Sequence, residues 1–186
     1  VFIYGSEGIG MNASAGAADL LAAWLERSGH RGKANSGLIA AWQKGNDQGA
    51  WEIGFKTDEH LAETISAAMG VYITAADPAS EDPELKIALQ RAGFVIVQDL
   101  FLTETAKLAD VVLPVQAVME REGTVVSGER RLQYYAPAIP APAGTRADHA
   151  ITRAIAEAAG IQLEGNNAGE LFAQLTREID VFKGIT

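Results

Sequence analysis

Short apolar runs alternate with helical patterns along most of this chain, and this alternation restricts its fold more than any other feature. Phe94–Val97 has four apolar residues in succession, which is typical of a parallel strand buried on both faces. Similar runs predict strands at Val1–Tyr4, Val71–Ala75 and Val111–Leu113. Strands separated by helices predict an α/β fold with a doubly wound, mainly parallel sheet.

Helices are predicted where apolar residues recur at helical spacing, at residues 14–27, 57–69, 82–92, 103–109, 148–159 and 168–179. Residues 29–56 are predicted to be one long packed loop, and residues 115–147 loops with short extended pieces. We expect residues 1–160 to form one domain. Residues 161–186 are expected to add a C-terminal helix, in the same domain or at the edge of a fragment.

Charge and composition exclude several classes of function. The 186 residues include 15 basic and 24 acidic side chains, a formal net charge of −9, and no basic stripe that would bind nucleic acid is visible. The absence of Cys excludes disulfides and iron–sulfur ligation by these residues. No apolar run is long enough to predict a membrane-spanning helix. The start at Val1, without Met or a signal peptide, suggests a piece of a longer protein.

Polar residues follow several predicted strands, at the sheet edge where such folds bind ligands. Asp77, before Pro78, could accept hydrogen bonds from a ligand or hold an Asx turn. Gln98 offers a donor and an acceptor to a base edge, or could cap the following turn. If both residues lie at a rim, replacement by Ala should change the free energy of unfolding by less than about 1 kcal/mol.

Other motifs favour structural interpretations. The segment Gly5–Gly10 reads G-x-x-G-x-G without a following Lys-Ser/Thr pair, which favours a tight turn over a dinucleotide site. The charged cluster Glu120, Glu122, Glu129, Arg130 and Arg131 favours a solvated ion-pair loop over acid–base chemistry or an anion site. The three His residues have no metal-site spacing. No catalytic residue and no metal ligand is predicted.

Several linked segments carry a resemblance to a known family. They are Val95–Thr105, Ala109–Pro114, Glu122–Thr124 and Glu129–Gln133, together with Gly45–Gly54 and Ala76–Pro78. In this combination they resemble the molybdopterin oxidoreductase superfamily, over nearly the whole chain. The resemblance implies a Rossmann-like internal domain of a larger subunit.

The resemblance also implies a set of candidate cofactor-binding residues. In catalytic members this domain holds one guanine dinucleotide of the molybdopterin cofactor, and residues matching Asp77 and Gln98 lie by the guanine. Asn46, Gln48 and Gly49 match the family's Asn-Asn-x-Gln-Gly-Ala loop, which approaches the pterin. Formate-dehydrogenase-like members carry Arg-Gly-Gln before that loop, where this chain has Trp42 and Lys44 in place of the Arg and the Gln. That departure implies a cofactor cleft that is vestigial.

Within the superfamily the chain most resembles the C-terminal half of the large iron–sulfur subunits of NADH–quinone oxidoreductase, respiratory complex I. The resemblance implies a structural domain without a redox centre, while iron–sulfur clusters lie elsewhere in the parent protein. It implies contacts with the other domains of that protein and with other peripheral-arm subunits, on the cytoplasmic face of the membrane. Two alternatives stay open: a domain binding molybdopterin guanine dinucleotide in a molybdenum enzyme such as formate dehydrogenase, and a nucleotide-binding module using Gly5–Gly10.

Overall fold

A computed structural model describes residues 1–5, 10–41, 44–56 and 58–185, and only the backbone of residues 10–15. The chain divides into two compact units. The first comprises Val1–Phe55 and Thr124–Tyr134, and the second comprises Lys56–Gly123 and Tyr135–Thr186. The expected division into residues 1–160 and 161–186 stays a prediction.

The first unit is built on a pair of parallel strands. Strand β1 (Phe2–Gly5) lies beside β2 (Leu38–Ala41), with Phe2 opposite Leu38 and Gly5 opposite Ala41. Helix α1 (Gly10–Arg27) connects them, and helix α2 (Asp47–Glu52) follows β2. Both β2 and α2 fall within the predicted 29–56 loop. Their patterns are weak because β2 has only four residues and α2 contains Gly49 and fewer than two turns.

The second unit has the strand and helix alternation that the sequence predicts. Its sheet has the order β3-β4-β5, with all neighbours parallel. These strands are Val71–Thr74, Val95–Asp99 and Val111–Pro114. The helices are α3 (Leu61–Ala67), α4 (Pro78–Glu81), α5 (Pro83–Arg91), α6 (Asp148–Ala158) and α7 (Ala168–Glu178). The α/β class with parallel sheets is therefore confirmed.

Two strands that the sequence predicts only as short extended pieces follow β5. They are β6 (Gly123–Val126) and β7 (Leu132–Tyr135), which pair as a two-stranded sheet. The predicted helix at residues 103–109 is a single 3-10 turn, Ala106–Leu108. Each unit has its own parallel strands: β1 pairs with β2 in the first unit, and β3, β4 and β5 pair in the second. Strand pairing depends on distant partners, which apolar patterning does not specify.

The core of the second unit lies between its sheet and helices α3 and α5. Val95 and Val97 of the central strand are 2% and 0% exposed, as the apolar run predicts. Ile65 and Leu89 pack against them from the two helices. No helix in the described part of the chain has the length and apolarity needed to cross a bilayer.

Replacement of Leu89 by Ala tests this core. Leu89 is 2% exposed, so we expect the variant to lose about 3 kcal/mol of unfolding free energy through lost contacts and a residual cavity. Ile87→Ala on the same helix removes a half-exposed side chain and should cost less than about 1 kcal/mol. Urea denaturation of both variants measures the difference, and equal losses would contradict the assigned core.

Candidate functional site

Asn46 and Gly49 form one packed contact at the start of α2. The Asn46 Oδ1 atom accepts a hydrogen bond of 2.9 Å from the backbone N of Val126. Gly49 is buried behind it, and a Cβ at this position would clash with the Asn46 side-chain amide. Asn46 and Gly49, which have the spacing Asn-x-x-Gly, therefore hold the end of β6 against α2.

The turn Ser127–Arg131 is attached to the same unit at two further points. Arg130 has a φ of +62°, an unfavourable conformation for a side chain of this size. Its guanidinium donates hydrogen bonds of 2.7 and 3.0 Å to the two carboxylate oxygens of Glu52. Gly128 packs so closely on β2 that a Cβ would lie 2.9 Å from the carbonyl oxygen of Ala40.

The neighbours of Glu52 lower the pKa of its carboxylate. The hydrogen bonds from Arg130 lower the pKa of Glu52, burial opposes them, and a further hydrogen bond from Gln48 adds to the lowering. The Gln48 Nε2 atom lies 2.6 Å from Glu52 Oε1. The ion pair with Arg130 therefore persists to a lower pH than it would with a glutamate of ordinary pKa.

This arrangement corrects the expected solvated ion-pair loop for Arg130, Glu120 and Glu122, whereas Arg131 and Glu129 form an exposed pair as expected. Arg130 pairs with Glu52, which lies 78 residues away in the sequence, and not with an acid of its own cluster. Glu120 instead accepts from the backbone N of Ala117 at 2.8 Å, and Glu122 accepts from the backbone N of Ala168 at 3.3 Å. The two Glu side chains thus have structural partners.

A cleft of about 580 Å³ opens between β1, β2, α2 and the Ser127–Arg131 turn. It is lined by Ile3 of β1, by Ile39, Ala40 and Ala41 of β2, and by Lys44 and Gly45 after the carboxyl end of β2, the end at which parallel sheets bind ligands. Its polar wall includes Lys44, Gln48, Ser127, Glu129, Arg131 and Gln133. Of the three candidate residues in this unit, Gln48 lines the cleft, whereas Asn46 and Gly49 support its wall.

Asp77 joins the segments that follow β3 and β4 in the second unit. Its Oδ1 atom accepts hydrogen bonds from the backbone N and the Oγ1 of Thr105, at 2.8 and 2.7 Å. The Thr105 Oγ1 atom in turn accepts from the backbone N of Ala79 at 2.9 Å. Burial would raise the pKa of Asp77, but the hydrogen bonds from Thr105 and nearby backbone amides outweigh it and lower the pKa.

Gln98, at the end of the central strand, is held entirely by protein groups. Its side chain is 0% exposed. The Nε2 atom donates to Asp148 Oδ1 at 2.8 Å, and the Oε1 atom accepts from the hydroxyl of Tyr72. Asp148 also forms an ion pair with Arg121. These four side chains, Tyr72, Gln98, Arg121 and Asp148, are called the Gln98 network below.

The structure therefore places the candidate residues in two groups. Asn46, Gln48 and Gly49 lie together in the first unit, while in the second unit Asp77 follows β3 and Gln98 lies near the end of the adjacent strand β4. Cofactor contact by any of them stays a prediction. The candidate turn at Gly5–Gly10 lies mostly outside the described residues, as do Trp42 and Thr57, the first residue of the predicted 57–69 helix.

Sequence reasoning missed the partners of these residues. Thr105 lies 28 residues from Asp77, and Asp148 lies 50 residues from Gln98. Arg121, which supports Gln98 through Asp148, lies 23 residues from Gln98. Only Thr105 had a local signal, as part of a segment that starts a helix. In the described ranges, no group of three or more His, Asp and Glu side chains is arranged to hold a metal ion.

These elements have a counterpart among known protein families. The family model of molybdopterin oxidoreductases matches residues 8–158. The chain belongs to the molybdopterin oxidoreductase family. The resemblance carried by the motifs is confirmed for this family.

Named relatives of this molybdopterin oxidoreductase domain have different activities. The alpha subunit of an F420-dependent formate dehydrogenase from Methanococcus maripaludis is 37% identical over 140 residues, covering 73% of this chain and 21% of that protein. One of the subunits of an NADH-quinone oxidoreductase from Rhizobium meliloti is 35% identical over 143 residues, covering 73% and 16%. The catalytic subunit of an assimilatory nitrate reductase from Bacillus subtilis is 31% identical over 173 residues, covering 72% and 24%. The chain thus spans between a sixth and a quarter of the length of these relatives.

Replacement of Asn46 by Ala tests the contact between α2 and β6. The change removes the acceptor of the Val126 amide, so we expect that amide to exchange with solvent about tenfold faster, a loss of roughly 1.4 kcal/mol. Asn46→Asp retains an oxygen acceptor and should keep the amide protected. Hydrogen exchange followed by NMR measures both, and unchanged protection in Asn46→Ala would contradict the assigned contact.

Replacement of Gln98 by Ala tests the Gln98 network. The side chain is buried and bonded at both ends, so we expect a loss of about 2 kcal/mol of unfolding free energy. This exceeds the value of less than about 1 kcal/mol expected for a rim residue. The exposed Gln90→Ala is the matched control in urea denaturation. A loss of unfolding free energy no larger than that of the control would contradict the network and indicate that Gln98 is a rim residue.

Proposed function

We propose that this chain is a structural domain of a protein similar to the large iron–sulfur subunit of NADH–quinone oxidoreductase, with no redox centre of its own. The observation that carries the proposal is the burial of Gln98. In catalytic members the matching residue lies by the guanine of the cofactor, yet here its amide is 0% exposed and bonded to Tyr72 and Asp148.

The fit of a guanine dinucleotide can be tested on the second unit alone. Guanine recognition at this edge would need the Gln98 amide and the Asp77 carboxylate to face a ligand. The Gln98 amide has no exposed surface, and Asp77 Oδ1 already accepts two hydrogen bonds from Thr105. The buried Gln98 amide therefore does not fit the guanine end of the cofactor, and no chemical step is assigned to it.

The loop before α2 supports the same proposal. Lys44 lines the cleft. Formate-dehydrogenase-like members carry Gln at the position that matches Lys44. An ammonium differs from an amide because it only donates and brings a full positive charge. A chain that had kept the cofactor chemistry would be expected to keep the amide at this position.

The proposal extends to the parent protein and its surroundings. Iron–sulfur clusters would be bound by other parts of that protein, because this chain has no Cys. The domain would contact the other domains of the parent protein and neighbouring peripheral-arm subunits of complex I. Electron transport would pass through those parts, on the cytoplasmic face of the membrane.

A second candidate is the cofactor-binding domain of a molybdenum enzyme such as a formate dehydrogenase. It is favoured by the identity of 37% to the alpha subunit of the F420-dependent enzyme and by Gln48, which lines the cleft. In this alternative molybdopterin guanine dinucleotide would lie against the loop that contains Asn46, Gln48 and Gly49. The two candidates differ in whether the protein binds that cofactor at all.

Metal and pterin analysis of the full-length protein distinguishes the two candidates. The protein is purified from its own cells, and molybdenum and tungsten are measured by mass spectrometry alongside pterin fluorescence after oxidation. We expect iron without stoichiometric molybdenum, tungsten or pterin. The alpha subunit of the Methanococcus maripaludis formate dehydrogenase, purified in parallel, controls for cofactor loss. One molybdopterin cofactor or more per chain would overturn the structural proposal and support the alternative.

A further inference from the structure

We propose that the cleft of the first unit binds an organic anion, with Lys44 and Arg131 holding its charged group. This inference rests on the proposed function, because a cleft filled by a molybdenum cofactor would not be open to another ligand. The ligand class that fits is a small carboxylate or phosphate ester with an apolar body. The argument depends on the position, the charge and the construction of the cleft.

The cleft has the position and size of a small-molecule site. Its volume is about 580 Å³, within the range of roughly 300–1,000 Å³ that such sites have. It reaches the carboxyl end of β2, which contributes Ala40 and Ala41 to its wall, and Lys44 and Gly45 follow that strand. One side is apolar, since Ile3, Ile39 and Val126 line it.

The described part of the cleft lining carries more positive than negative charge. Within it, Lys44, Arg131 and Glu129 contribute a formal +1, whereas the chain as a whole carries −9. The pair between Arg131 and Glu129 is weak, because its atoms are 4.0 Å apart and both side chains are mostly exposed. Among the described residues, no carboxylate forms an ion pair with Lys44.

The turn that carries Arg131 is held by specific contacts. Arg130 adopts a φ of +62° and is tied to Glu52 by two hydrogen bonds. The Ser127 Oγ atom accepts a hydrogen bond of 3.2 Å from the backbone N of Arg131. The backbone N of Ser127 donates a hydrogen bond of 3.0 Å to the carbonyl oxygen of Arg131. Such a backbone conformation persists only where surrounding contacts impose it, and it recurs at ligand sites.

The loop that carries Lys44 is fixed in a similar way. The backbone N of Lys44 donates to Asp47 Oδ2 at 2.9 Å, which joins the loop to the first turn of α2. Lys44 and Arg131 therefore come from two anchored segments on the wall of one cleft. A charged group placed there would gain charge-assisted hydrogen bonds, while its apolar body would cover Ile3 and Ile39.

Titration of the 186-residue chain with phenyl phosphate tests the proposal. Binding is followed by ¹⁵N NMR, with benzoate as the carboxylate probe, inorganic phosphate as the free anion and phenol as the neutral analogue. We expect saturable shifts at Gly45, Gln48 and Gly128 with one or both organic anions. Phenol should bind at least about tenfold more weakly, because it lacks the charge.

Two variants and two controls locate the charged group. Lys44→Gln and Arg131→Gln should each raise the Kd about tenfold. Lys33→Gln and Arg27→Gln remove exposed cations of the same unit outside the cleft lining and should leave the Kd unchanged. No saturable binding, equal binding of phenol, or equal effects of all four variants would overturn the proposal. Inorganic phosphate binding as tightly as phenyl phosphate would also overturn it, since it would remove the organic body.

The two proposals fail in different measurements. Molybdopterin cofactor in the full-length protein would overturn the proposed function, and the anion site with it. Absence of the cofactor together with absence of organic-anion binding would leave the structural role intact and reject only the anion site.

Discussion

The arrangement of the second unit depends on one buried amide at the end of its central strand. A fully buried Gln is tolerated only if its donors and acceptors have partners. Gln98 meets this requirement through Tyr72 of β3 and Asp148 of α6, and Arg121 balances the charge of Asp148. The amide thus connects a neighbouring strand, a helix and the segment before β6. Release of the Gln98 amide to a ligand would break its hydrogen bonds to Tyr72 and Asp148.

The first unit has a comparable constraint in the contacts between α2, β2 and the Ser127–Arg131 turn. Asn46 supplies the acceptor for Val126, Gly49 leaves room for the Asn46 side chain, and Arg130 neutralises Glu52. The hydrogen bonds of Asn46 and Arg130 each join segments about 80 residues apart. These residues have structural reasons to be present whether or not a cofactor is bound, so their match to the family motif does not by itself indicate catalysis.

The sequence predicts the parts of this fold that depend on local patterning. The β4 core residues Val95 and Val97, the parallel strands β3 to β5 and the last two helices follow from apolar runs and helical spacing. The pairing of β1 with β2, the short helix α2 and the partner of Arg130 do not, because each depends on a distant contact or on an element too short for periodicity. For the same reason Asp77 and Gln98 could be selected as polar strand ends, but their partners Thr105 and Asp148 could not.

This division explains why residue motifs identify the family more readily than the function. Asn46, Gly49, Asp77 and Gln98 have side-chain or packing roles inside their own units, and members with different activities can share such roles. The residues that distinguish activities are those that face a ligand without supporting the fold. Lys44 and Arg131 meet that description, because their side chains line a cleft while backbone atoms hold their loops in place. A change at either residue alters the charge presented to a ligand and leaves the supporting contacts of Asn46, Gly49 and Arg130 unchanged.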